Sequence, residues 1–149
     1  MRLSTRGHYG LKAMFDLAQH YGVAPVSLKS VAQRQNLSEH YLEQLMAMLR
    51  KAGLVRSVRG AQGGYILARD PEKIMVGEVI RILEGPIAPV ECVNEVDPKE
   101  CDQADCCISR TVWARVRDSI AQVLDSISLA DMCRDAARVR EPGGQNEQQ

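Results

Sequence analysis

Two serine-led amphipathic segments and a basic, glycine-rich loop follow one another between residues 27 and 68, and few folds accept that order. Ser27 is a favoured N-cap, and the segment after it, LKSVAQRQ, sets Leu28, Val31 and Ala32 on one side. Asn36 and Leu37 supply a turn. Ser38 then heads EHYLEQLMAMLRKA, in which Leu42, Leu45, Met46 and Leu49 share a helical face. Glu39 in the first turn and Arg50 and Lys51 in the last match the helix dipole, and Gly53 suits the left-handed residue that ends a helix. Two short helices joined this tightly form a helix-turn-helix. Leu54–Val58 and Tyr65–Ala68 then flank RGAQGG as short strands. A basic hairpin in that place is a wing.

The surrounding segments complete a mainly α fold. A broad apolar stripe, Leu11, Met14, Phe15, Leu17, Ala18 and Tyr21, predicts a first helix from about Tyr9 to Tyr21, ended by Gly22 and Pro25. A fourth helix is expected from about Val76 to Leu83, before Gly85-Pro86. A long helix should run from about Ser109 to Ile127, with Val112, Val116, Ile120, Val123 and Leu124 at spacings of three and four. A stripe so long and so far from the first core needs a surface to cover it. An antiparallel pair across the two-fold of a homodimer would supply one. Ser128 and Asp131 form a capping-box pattern for a last short helix. With one Trp, one Phe and four Tyr, the core must be built from aliphatic side chains. Cys133 reads as a small core residue and His20 as a helix-surface one. The expected organisation is a winged helix-turn-helix domain with a two-stranded wing (1–85), a cysteine-rich loop (86–108), a long C-terminal dimerisation helix with a terminal short helix (109–138), and a disordered tail (139–149).

Net charge is zero, yet it is divided. Residues 1–69 carry ten Lys and Arg against Asp16, Glu39 and Glu43, a net of +7, and the remainder carries −7. The basic half suits double-stranded DNA. A recognition helix reads base edges with its N-terminal turns, which here offer His40, Glu43 and Gln44. Gln pairs with adenine, His can donate to guanine, and Glu can accept from cytosine or reject other bases. Tyr9, Arg2, Arg6, Arg50 and Lys51 can hold phosphates, and Arg59 at the wing tip can enter a minor groove. The N-terminus lacks the apolar region of a secretory signal, and no apolar run approaches the roughly 18 residues of a membrane span. A cytoplasmic location is therefore expected, without a membrane or small-molecule partner. No Gly-rich phosphate loop or Cys/His/Asp set supports an enzyme.

Four of the five cysteines fall within CVNEVDPKECDQADCC, residues 92–107. Glu95, Asp97, Glu100, Asp102 and Asp105 stand there against Lys99 alone. In a reducing compartment such a cluster points to metal or redox sensing rather than a structural disulfide. The spacing C-x8-C-x4-C-C lacks the C-x2-C pairs of common zinc sites. It leaves an iron–sulfur centre, zinc and metal-free reactive thiols open. Adjacent Cys106 and Cys107 point in different directions, so only one faces a given centre. Cys92, Cys101 and Cys107 then form a ligand set with one position open.

The segments MRLSTRGHYGLKAM, LSEHYLEQLMAMLRKAGLV, SVRGAQGGYIL, CCISRTVWARV and SLADM resemble the IscR-like family of bacterial winged-helix regulators, over Met1 to about Ala137. The resemblance implies a homodimer, an iron–sulfur cluster ([2Fe–2S] rather than [4Fe–4S]) on Cys92, Cys101 and Cys107, and transcriptional control of cluster-assembly or stress genes. Some members place a His ligand where this chain has Arg110. Others, of the nitric-oxide-sensing branch, use a side chain at the start of the partner's first helix, which here is His8. The resemblance also implies His40, Gln44 and Arg59 as base or groove contacts and Glu43 as a specificity filter, although relatives carry a smaller hydroxyl residue in place of His40. A cluster-free cysteine-metabolism regulator of the same fold, acting through a partner enzyme, is the alternative.

Overall fold

The computed structural model describes residues 3–140, so Arg2 and the tail from residue 141 lie outside the described residues. The described residues form six helices and one hairpin: α1 (Thr5–Gln19), α2 (Leu28–Gln35), α3 (Glu39–Lys51), β1 (Val55–Val58), β2 (Gly64–Leu67), α4 (Val76–Glu84), α5 (Ile108–Asp125) and α6 (Leu129–Arg140). Short 3₁₀ turns lie at Pro71–Lys73 and Glu91–Val93. The architecture is the expected mainly helical winged helix-turn-helix followed by a long helix.

The helix-turn-helix forms for local reasons. The hydroxyl of Ser27 accepts the N–H of Ser30 at 3.2 Å, and that of Ser38 accepts the N–H of Tyr41 at 3.4 Å. Asn36 takes the left-handed conformation between the two helices, a position its short polar side chain tolerates. At the end of α3, Gly53 adopts φ 82°, Gly53 N–H bonds to Arg50 O at 3.0 Å and Leu54 N–H to Leu49 O at 3.0 Å. That is the paired-bond motif a C-terminal glycine makes possible.

β1 and β2 are antiparallel, with Val55 opposite Leu67 and Val58 opposite Gly64. The wing is stitched to the segment before α2 by Val26 and Tyr65, which exchange backbone hydrogen bonds of 2.9 and 2.8 Å. Gly64 permits this approach: a Cβ there would lie 2.3 Å from the carbonyl oxygen of Val26.

α1 starts four residues before the expected Tyr9. Ser4 caps it locally, its hydroxyl accepting the N–H of Arg6 at 3.2 Å, and a tertiary contact reinforces the cap. The Glu84 carboxylate, from the last turn of α4, accepts the N–H groups of Ser4 and Gly7 at 3.0 and 2.8 Å, as well as the Ser4 hydroxyl. Burial opposes ionisation of Glu84, but these hydrogen bonds and nearby Arg6 hold its pKa below the usual carboxylate value. α1 and α4 meet closely because Gly10 has no side chain; a Cβ there would sit 2.0 Å from Leu83 Cδ1.

Met14, Leu17, Leu45, Met46, Leu49 and Leu67 fill the core, each at most 1 % exposed. One charged group shares it. Asp16 is fully buried and takes Arg34 Nε at 2.9 Å, Arg34 Nη2 at 2.7 Å and Gln35 Nε2 at 3.1 Å, tying α1 to α2. His20 caps α1, its Nδ1 2.8 Å from Asp16 O.

α5, about 27 Å long at 1.5 Å per residue, has no buried residue in the chain as described. α6 returns to the first core. Ser128 N–H donates to Asp131 at 2.9 Å, and Asp131 N–H donates to the Ser128 hydroxyl at 3.0 Å, the capping box expected there. Leu129 is fully buried in that core, and Cys133 is packed beside it, with burial raising its thiol pKa. α6 runs to Arg140, longer than the short helix expected.

Candidate nucleic-acid interface and cysteine loop

The N-terminal turns of α3 present a polar face because the buried face is already spent on Leu42, Leu45, Met46 and Leu49. Glu39, His40, Glu43 and Gln44 are all exposed. His40 Nδ1 stands 4.0 Å from Glu43 Oε2, so the two side chains share one patch. Arg59 is exposed in the wing loop, and Arg50 and Lys51 are exposed at the far end of α3.

α1 joins this surface partly through Thr5 and Lys12, which, with Tyr41 of α3, sequence reasoning missed. Thr5 Oγ1 lies 3.0 Å from the hydroxyl of Tyr41, in the first turn of α3. The Tyr9 and Tyr41 rings meet edge to face at 6.1 Å, His8 lies 5.2 Å from Tyr9, and Lys12 Nζ lies 5.9 Å from the Tyr9 ring centre. Thr5, His8, Tyr9 and Lys12 are thus on the side of the head that carries the start of α3. Their spacing on α1 was a usable signal: Thr5, Tyr9 and Lys12 are one face at steps of four and three.

The cysteine loop runs from α4 to α5. Cys92 sits in the 3₁₀ turn, whose Glu91 carbonyl accepts the N–H of Lys99 at 3.0 Å. Asn94 Oδ1 accepts the N–H groups of Val96 and Asp97 at 2.9 and 3.0 Å, a local turn typical of Asn. Cys101 is exposed. Cys106 Sγ donates to Gln103 O at 3.6 Å, whereas Cys107 occupies the N-cap position of α5 without a side-chain capping bond, its Sγ 3.2 Å from the Ser109 hydroxyl. That hydroxyl, then the N–H of Arg110, lower the Cys107 thiol pKa below its ordinary value. A helix N-terminus favours a thiolate for the same reason it favours any anion. All five cysteines are free thiols. Among the described residues, no three His, Cys, Asp or Glu side chains converge as a metal-binding group, and His8 is not gathered with Cys92, Cys101 and Cys107 within one chain. Arg110 Nε is buried without a hydrogen-bond partner beside this loop.

No described helix is long and apolar enough to cross a membrane. Residues 3–135 match the family model Rrf2, described as an iron-dependent transcriptional regulator. The chain is 51% identical over 132 residues to the HTH-type transcriptional regulator CymR of Bacillus subtilis, covering 89% of each. It superposes on the solved structure of T. potens IscR with a TM-score of 0.79 and 55% identity, covering 97% of this chain and 94% of that one. It superposes on the structure of B. subtilis CymR, described as the global cysteine regulator, with a TM-score of 0.76 and 49% identity, covering 90% and 97%. These likenesses span nearly the whole length and include the wing, the long helix and the loop between head and helix. The chain belongs to the Rrf2 family of winged-helix transcriptional regulators and is, within it, of the IscR-like type.

Proposed function

We propose that the chain is a homodimeric, iron–sulfur-cluster-sensing regulator that binds palindromic DNA and controls cluster-assembly genes. The observation that carries this reading is the loop itself. Cys92, Cys101 and Cys107 are free thiols on one irregular segment, and Cys107 sits where a helix N-terminus favours its thiolate. Thiolates are the ligands such clusters use. The donor set therefore fits the group in its chemistry. His8 of the partner subunit would supply the fourth ligand. A [2Fe–2S] centre is favoured, and its chemistry when bound is reversible response to electrons and oxidants.

The dimer is proposed from α5. Ile108, Val112, Val116 and Val123 are 82, 50, 36 and 56 % exposed on one side of it, an apolar stripe that a second copy of the helix would cover. A two-fold there sets the spacing of two recognition helices, which must match half-sites about 34 Å apart. His40, Gln44 and Arg59 then act as base or groove contacts, with Glu43 as a filter. Tyr9, Arg2, Arg6, Arg50 and Lys51 act as phosphate contacts.

Anaerobic purification with iron and sulfide analysis and absorption spectra tests the sensing reading, followed by DNA binding of cluster-loaded and cluster-free protein. Colour, iron and sulfide are expected, and each of Cys92→Ser, Cys101→Ser and Cys107→Ser should lose them. A colourless anaerobic protein that cannot be reconstituted would instead support a second reading, favoured by the likeness to CymR: a cluster-free regulator of cysteine metabolism acting through a partner enzyme.

A further inference from the structure

Where the head meets the cysteine loop and α5, one guanidinium holds two carboxylates from different elements. Arg81 of α4 donates to Glu95 of the loop through Nε at 2.6 Å and Nη2 at 3.1 Å. It donates to Asp125, in the last turn of α5, through Nη1 at 2.6 Å and Nη2 at 3.0 Å. Glu95 also accepts the N–H of Ile87 at 2.8 Å, which pins the start of the loop. The three side chains are 30, 19 and 45 % exposed, so water screens the contacts only in part.

Two further features make this a built junction rather than a chance surface pair. α4 carries Gly77 beneath it, and a Cβ there would lie 1.9 Å from Asp125 Oδ1 and 2.8 Å from Arg81 Nη1. One turn beyond Arg81, Glu84 holds the first N–H groups of α1, just before His8 and Tyr9. A single helix thus touches the cysteine loop three residues after Cys92, the end of α5, and the opening turn of α1. The charge distribution agrees: Asp125 and then Glu95 raise the Arg81 pKa, and Arg81 lowers that of both carboxyls.

We propose that Arg81 is the positioning residue that couples the cysteine loop to the DNA-reading head, by holding Glu95 and Asp125 together on α4. The proposal rests on the reading of the loop as the sensing segment. A rearrangement of Cys92 and its neighbours that displaces Glu95 pulls on Arg81, and through α4 on α5 and on the cap of α1. Coupling of this kind is reciprocal, so DNA binding must in turn change the state of the loop.

The test uses the full chain, iron-free and anaerobic, with duplex DNA selected from a random pool by the wild-type protein. The rate of N-ethylmaleimide labelling at Cys92, Cys101 and Cys107 is followed by mass spectrometry with and without the duplex. In the wild type, DNA should change these rates about fivefold or more, the lower range of allosteric coupling. Arg81→Met should still bind the duplex but lose that change, and Arg81→Lys, which keeps charge without the planar fork, should restore only part of it. A merely structural Arg81 would lower thermal stability without removing the DNA dependence. An Arg81→Met protein with the full wild-type change, or a wild type with none, overturns the proposal. If Arg81→Met does not fold, Glu95→Gln, which keeps an acceptor for Ile87, takes its place with the same two outcomes. Iron and sulfide uptake by the same wild-type preparation tests the sensing reading separately.

Discussion

The head and the segment that follows it are built on different terms. In the head, α1, α2 and α3 each have a side-chain cap, the wing is bonded to Val26, and the buried Asp16 is fully partnered. In the segment from the cysteine loop through α5, the thiols are free and no residue of α5 is buried. The head takes its shape from contacts inside the chain. The loop and α5 keep apolar and thiol groups open, which suits a region whose final form depends on something added to it. Acidic charge on the loop opposes collapse, and basic charge on the head suits a polyanion.

The contrast can be broken or sharpened by substitution. Leu129→Ala, at a position fully buried under the head, should cost about 2–5 kcal/mol in urea unfolding. A loss under about 0.5 kcal/mol, the size expected at a surface site, would mean that α6 is not part of the head. Asp16→Asn should cost about 1–3 kcal/mol, because Arg34 and Gln35 lose an ionised partner. Burial alone would raise the Asp16 pKa, but the bonds from Arg34 and Gln35 and the charges of Arg34 and His20 bring it below 3.8. Its contribution is therefore present above the unfolded carboxyl value and is lost as pH falls through the lower folded value. The wild type should lose stability on acidification more steeply than Asp16→Asn, as unfolding midpoints across that range will show.

Smaller effects sharpen the picture. Ser38→Ala, which removes the cap of the recognition helix, should cost about 1 kcal/mol by the same unfolding assay. Val112→Ser on the open face of α5 should change the stability of a single chain by less than about 0.5 kcal/mol. Sedimentation should nevertheless show weaker self-association. An unchanged assembly would count against a helix pair formed through this face.

The helix-turn-helix and wing were legible to within a residue or two, because serine caps, apolar spacing and glycines act locally. The start of α1 was not: its N-cap, Ser4, is held in place by Glu84, 80 residues away. Nothing local to Asp16 announced its partners on α2, Arg34 and Gln35. Tyr41 was hidden among stripe residues although its hydroxyl reaches Thr5. The junction at Arg81 joins residues 14 and 44 positions away, so no motif could reveal it. The cysteine spacing suggested candidate donors and left the kind of centre open. Its geometry needs more than one chain's local pattern, which is why the ligand set and His8 stand as proposals.

The backbone of Ser128 pairs with Met75, and Leu129 closes the space beneath α1 and α4. Chain that lies far along the sequence thus finishes what the first half begins. Modularity is limited accordingly. A fragment ending before α5 would carry every side chain proposed to read bases yet lack its keystone, so such heads are poor candidates for transplantation into fusions or for inheritance as separate genes.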